Sequence, residues 1–217
     1  MNINVPFDVK TFILQELDIQ LRNQIVRQVQ NAYTLVDLCL EQVSFLNWNL
    51  GKLHKGYLDH IAVQFTLYEA VQSGLLNNMT ANIVPNANGS SYHVELGTKN
   101  TKITVNRANS KADTARNAIY RTILQRDNQY YWSFDNNNQI TEEPGYLELT
   151  HNHIKRTVDF VNIGVPNGKG KWFSCIDLTK ELQIVTHEKV KKNEITKEAL
   201  VKFKTFAQGV HENGGKN

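Results

Sequence analysis

With 217 residues, 41% of them hydrophobic and 21% charged, the chain has the composition of a folded globular protein, not a disordered one. A formal net charge of +3 is too small to mark a nucleic-acid binder by itself, since such domains cluster more basic charge. No run approaches the roughly eighteen uncharged apolar residues of a membrane helix, the first residues lack a signal-peptide pattern, and Cys39 and Cys175 make no disulfide framework, so a cytoplasmic protein without membrane association is expected.

Residues 7–74 read as helix. Phe12, Ile13, Leu17, Leu21, Ile25 and Val29 recur at three and four and fall on one stripe of a long first helix, with Asp8 at its start. Thr34 followed by Asp37 resembles a capping box for a second helix carrying Leu35, Leu38, Val43 and Leu46. A third is expected from about Tyr57, with Gly74 beyond its end.

From Thr80 the period changes to two. Residues 81–85 predict a strand, residues 86–89 are turn chemistry, and Tyr92, Val94 and Leu96 alternate with His93 and Glu95. Ile103 and Val105 alternate in the same way with Lys102, Thr104 and Asn106, so a meander with one buried face is expected. Ser110–Asp113 resembles a helix start, and Ala112, Ala115, Ile119 and Ile123 make a narrow stripe for a helix ending near Asp127. Further strands are expected at 130–134, 146–150, 157–165 and 171–178, the last two joined by a turn at 166–170. A lysine-rich helix over 190–210 closes the chain. The pattern predicts a single α+β domain spanning 1–217: a three-helix layer, then a largely antiparallel sheet of six to seven strands interrupted by one helix, then a C-terminal helix.

No P-loop, dinucleotide fingerprint, GxSxG elbow, HExxH helix or CxxC pair occurs, and neither a metal nor a cofactor is expected. His151-Asn152-His153 spells HNH without that class's flanking pattern, and as a loop pair it falls short of the three or four ligands of a zinc site. Glu69, Glu95 and Lys99 or Lys102 have the wrong spacing for a metal-dependent nuclease.

Two constellations remain. The first is a basic segment whose phosphate-binding candidates are Lys102, Arg107, Lys111, Arg116, Tyr120 and Arg121, with the 110–113 amides as a helix N-terminus able to hold phosphate. Cations interleaved with an aromatic suit a single-stranded backbone with stacked bases; the plain alternative is a solvated helix face. The second is His93 and Glu95, two apart on one strand face. A glutamate base, a histidine acid and an arginine clamp suffice for RNA cleavage by the 2′-hydroxyl without metal, against the plain alternative of a polar outer sheet face.

Three function classes follow: a nucleic-acid-associated accessory protein, a protein-binding inhibitor or adaptor resembling an antitoxin, and a metal-independent ribonuclease toxin. Abundant asparagine and lysine with only 4 prolines incline towards an AT-rich genome such as that of a phage or mobile element, where small proteins of this size serve defence or counter-defence. The nucleic-acid class ranks first. Catalysis is not decided by the sequence, and nor is oligomeric state.

Overall fold

A computed structural model of the protein describes residues 8–86, 89–131, 145–154 and 156–180. They form five α-helices, α1 (Val9–Glu16), α2 (Ile19–Gln42), α3 (Asn49–Leu53), α4 (Lys55–Gln72) and α5 (Ile119–Tyr131). Six strands accompany them: β1 (Thr80–Pro85), β2 (Tyr92–Gly97), β3 (Thr101–Arg107), β4 (Gly145–Ile154), β5 (Thr157–Pro166) and β6 (Trp172–Asp177). The architecture is the expected α+β arrangement, with helices ahead of a mostly antiparallel sheet. No helix among the described residues is long and apolar enough to cross a membrane.

The helical layer divides differently from its expected three helices. The long first helix is interrupted at Leu17, because Asp18 accepts the Leu21 amide at 2.8 Å and starts a new helix there. Arg22, buried, donates to the Leu17 carbonyl and closes the joint from the other side. The expected break at Thr34 does not occur. Its hydroxyl donates back to the Gln30 carbonyl at 3.1 Å, as a mid-helix threonine does, and α2 continues. Asp37, expected to complete that cap, instead holds Lys55 at 2.9 Å.

The sheet order is β1-β2-β3-β4-β5-β6, antiparallel throughout except for the parallel pair β3–β4. A parallel pair requires a crossover, and residues 108–144 supply it. One sheet face carries Val94, Leu96, Ile103, Val105, Leu147, Leu149, Val161 and Ile163 against Ile13, Leu17, Ile25, Val29, Tyr33, Val63 and Leu67 of the helices, and this is the core. The opposite face is polar but equally buried: Thr104, Asn106, Glu148, Thr150 and Asn162 are at most 5% exposed. The start of the crossover, residues 111–121, lies over it.

That covering explains the largest departure from the expected elements. Residues 110–118 are not helical. The Ala115 amide goes to Glu148, the Lys111 carbonyl accepts from Asn162 at 2.8 Å and Trp172 at 3.1 Å, the Thr114 amide reaches the Gly170 carbonyl, and Asp113 bridges Lys171. Tertiary partners have taken the groups a helix would have paired internally. The helix therefore starts at Ile119, Ser110–Asp113 offers no helix N-terminus, and Tyr130 and Tyr131 belong to α5 instead of the strand expected at 130–134. The remainder of that strand and the helix expected over 190–210 lie outside the described residues. The β5–β6 hairpin forms as expected, with Gly168 and Gly170 at φ of 75° and 76° in its turn. β4 runs on through His151 and His153, which are strand residues and not a loop pair.

Candidate functional site

β2 and β3 pair only from Glu95↔Thr104 to Gly97↔Lys102. Beyond that point they separate, and the gap is filled from two sides. Gln64 of α4 accepts the Val94 amide at 2.9 Å, and Tyr120 of α5 stacks on His93 with centroids 4.1 Å apart and planes at 23°. A cleft of about 580 Å³ opens here, its walls formed by Tyr57, His60, Ile61 and Gln64 of α4, Ile83, Tyr92 and His93 of the β1–β2 hairpin, and Asn106, Tyr120 and Arg121.

Arg121 is the charged group in these walls. One Nη donates to Asn106 Oδ1 at 2.8 Å and to the Tyr120 hydroxyl, the other to the Arg116 carbonyl. Behind Asn106 a directed chain of donors runs into the sheet: Asn106 Nδ2 to Thr104 Oγ1 at 3.0 Å, Thr104 and the Tyr146 hydroxyl at 2.8 Å, and Tyr146 to Glu148 Oε2 at 3.4 Å. Each donor points towards the Glu148 carboxyl, which fixes the Asn106 amide with its oxygen facing Arg121. Burial raises the Glu148 pKa, opposed by the Ala115 amide, the Arg121 charge and the Tyr146 hydroxyl. The guanidinium is thus held by neutral groups. No acid lies within ion-pair distance of it among the described residues.

Both histidines of the cleft are neutral at physiological pH. Burial lowers the His60 pKa to about 4, helped by the charges of Arg121, Arg107 and His93, and burial with the Arg121 charge lowers that of His93 to about 4. His93 Nδ1 bonds Asn86 Oδ1 at 2.8 Å. A neutral imidazole donates from one ring nitrogen and accepts at the other, so near neutral pH His93 has the protonation state of a base and not that of the general acid expected for it. Glu95 shares the strand face of His93 but lies outside the cleft walls; burial raises its pKa and the Lys102 charge opposes the shift. Of the two, His93 alone lines the cleft.

The basic candidates also separate. Arg107 ends β3 with its guanidinium packed on Gly56 of α4 and 3.4 Å from Asn152 Oδ1. With Arg116 it lines a second groove of about 340 Å³, together with Asn109, Thr114 and Asn117. Lys111 faces Asp159 at 3.6 Å and Asp177 at 3.8 Å, so its charge is spent on its own sheet. Lys102 sits beside Glu95, outside both grooves. What converges is Arg107, Arg116, Tyr120 and Arg121 around the start of the crossover, with His93.

Sequence reasoning missed His60, Gln64, Asn106, Tyr146 and Glu148. Glu148 had a legible signal, a carboxylate in an otherwise apolar strand, which marks a buried partner-seeking group. The helix positions of His60 and Gln64, four apart, had none that distinguished them from a solvated face. Behind the cleft, His151 is fully buried, 2.7 Å from the Tyr33 hydroxyl, and His153 bonds Asp59 at 3.0 Å. Among the described residues no cluster of three or more histidine, cysteine or acidic side chains could hold a metal ion.

Comparison with family models, with curated proteins and with solved structures finds no match to this chain. The class rests on the fold and the site: an α+β protein with a cleft walled in part by Arg121, beside the parallel strand pair β3–β4.

Proposed function

We propose that the protein is a nucleic-acid-associated accessory protein that holds backbone phosphate with Arg107, Arg116 and Arg121, with Tyr120 as the interleaved aromatic. One observation carries this reading. These three arginines line two grooves and none has an acidic partner among the described residues, whereas Lys55, Lys111, Lys171 and Arg156 each face an acid, and Asp113, the acid lining the groove of Arg107 and Arg116, is paired with Lys171. A cation withheld from the protein's own carboxylates is available to an external anion. The test is binding of labelled single-stranded RNA, single-stranded DNA and duplex across a salt series. Three phosphate contacts contribute about 2 to the slope of log K against log salt for a single strand, so replacing all three arginines with glutamine should flatten the slope by about that much. Absence of binding at low salt would remove the reading.

A second reading, a protein-binding module, is favoured by the α2–α4 connection, where Phe45, Trp48, Leu50 and Leu53 are 69%, 56%, 55% and 77% exposed. Sedimentation velocity across a concentration series addresses the partner that can be tested directly, a second copy; association abolished by Trp48→Ser with Leu53→Ser would support it.

A further inference from the structure

We infer that the cleft between α4 and α5 seats one nucleotide unit, its phosphate on Arg121 and its base against the tyrosine and histidine wall. The inference rests on reading the arginines as phosphate contacts. It goes further by naming what one groove takes: a single phosphate and a single ring system, either a free nucleoside monophosphate or the terminal nucleotide of a strand.

The charge count sets the phosphate number. A guanidinium has five N–H donors; Asn106, Tyr120 and the Arg116 carbonyl take three, leaving Nε and one Nη2 proton without partners among the described residues. That edge suits two oxygens of one phosphate. The other walls carry no charge, since His60 and His93 are neutral and Tyr57, Tyr92, Ile61 and Ile83 complete them. A second or third phosphate would lie desolvated against neutral groups, which is unfavourable. The position of Arg121 is set before any ligand arrives by the chain Asn106–Thr104–Tyr146–Glu148, so binding does not have to order it.

The aromatic wall suits a base. Gln64 Oε1 accepts the Val94 amide, so its Nε2 must donate to His60 Nε2 at 2.7 Å. The His60 proton is then on Nδ1, a buried donor with no partner among the described residues. Asn86 donates its Nδ2 to Ser91, so its Oδ1 accepts from His93 Nδ1, and His93 Nε2 is a buried acceptor with no partner among the described residues. Both atoms are closed off from solvent, so the wall offers a ligand aromatic surface, with the exposed Tyr57 ring as the face on which a base stacks. A volume of about 580 Å³ lies within the usual range for a small-molecule site.

Calorimetric titration of the full chain with adenosine monophosphate, adenosine diphosphate, adenosine and inorganic phosphate tests this directly. A single 16-mer with and without a 5′-phosphate is titrated alongside them. The monophosphate should bind at least tenfold tighter than adenosine or phosphate, and the diphosphate should gain no more than twofold over it. Arg121→Gln should weaken the monophosphate at least tenfold, the usual loss for one charge-assisted contact. Tyr57→Ala, at a ring 66% exposed and so no threat to folding, should weaken it at least fivefold through lost stacking. Monophosphate binding alone assigns the ligand to a free nucleotide; preference for the phosphorylated strand, with competition by the monophosphate, assigns it to a strand end. Salt-dependent strand binding with no monophosphate binding overturns the inference and leaves the phosphate reading standing. If neither strand nor monophosphate binds, both fall.

Discussion

Acidification from pH 8 to pH 5 should remove about 2 kcal/mol of folding stability through His60 alone. Its imidazole has a folded pKa of about 4 because burial and the charges of Arg121, Arg107 and His93 all oppose protonation; an unfolded histidine titrates near 6.5. The folded pKa is the lower of the two. Stability is therefore fully present above about 6.5 and is lost as the pH falls towards 4, because the unfolded chain takes up the proton first. A shift of about 2.5 units is worth about 3.4 kcal/mol at its limit, and about 2 kcal/mol of that is reached by pH 5. Glu95 and Glu148 have raised pKa values and act with the opposite sign, while His93 and His151, lowered like His60, act with the same sign, so the wild-type curve alone does not isolate His60. The assay is urea unfolding of wild type and His60→Gln at pH 8 and pH 5 at fixed ionic strength. The glutamine keeps an acceptor for Gln64, and the carboxylate contributions cancel in the comparison. Wild type should lose about 2 kcal/mol more than the variant. Equal losses would refute the buried, neutral state of His60 and with it the neutral wall of the cleft.

Further substitutions probe the scaffold around that site. Tyr33→Phe removes the hydroxyl 2.7 Å from His151 Nδ1 and leaves that buried nitrogen unpaired, which should cost about 1–3 kcal/mol in chemical denaturation. Arg22→Leu strips the donor from the Leu17 carbonyl at the α1–α2 joint and should cost a similar amount; an unchanged midpoint would mean that water caps the joint equally well. Gly164→Ala drives a methyl into the Ser174 carbonyl and Cys175 of the paired strand, so a loss of about 1–3 kcal/mol is expected. At Gly56 the same change meets only the mobile end of Arg107; it should leave the melting temperature in place while lowering nucleic-acid affinity, and the reverse pattern would count against a binding role for Arg107.

Much of the sheet was legible because its signal is local. Alternation at 92–96 and 102–106 and the glycine-rich turn at 166–170 each specify a strand or hairpin from neighbouring residues, and the structure has them there. The helical layer was legible in content but not in division. Asp18 and Thr34 are both good capping types, and only Asp18 is used; at Thr34 the helix is carried through because Leu35, Val36, Cys39 and Leu40 beyond it are buried in the same layer.

The site was legible in half. Arg107, Arg116, Tyr120, Arg121 and His93 were readable as a basic, aromatic segment beside a polar strand face. Their convergence was not, because it depends on β3 pairing parallel with β4, a choice between strands some forty residues apart that no local pattern encodes. That pairing brings the start of the crossover onto the polar sheet face, where Glu148, Asn162 and Trp172 bind the backbone of 111–115 and prevent the helix its composition favours. The same geometry spends Lys111 on Asp159 and Asp177 and leaves Arg121 without an acid among the described residues. Composition and periodicity thus determined that this chain is α+β and where its cations lie along it. Only the tertiary structure decided which cations are neutralised at home and which face a cleft, because ion pairing and desolvation are set by neighbours in space.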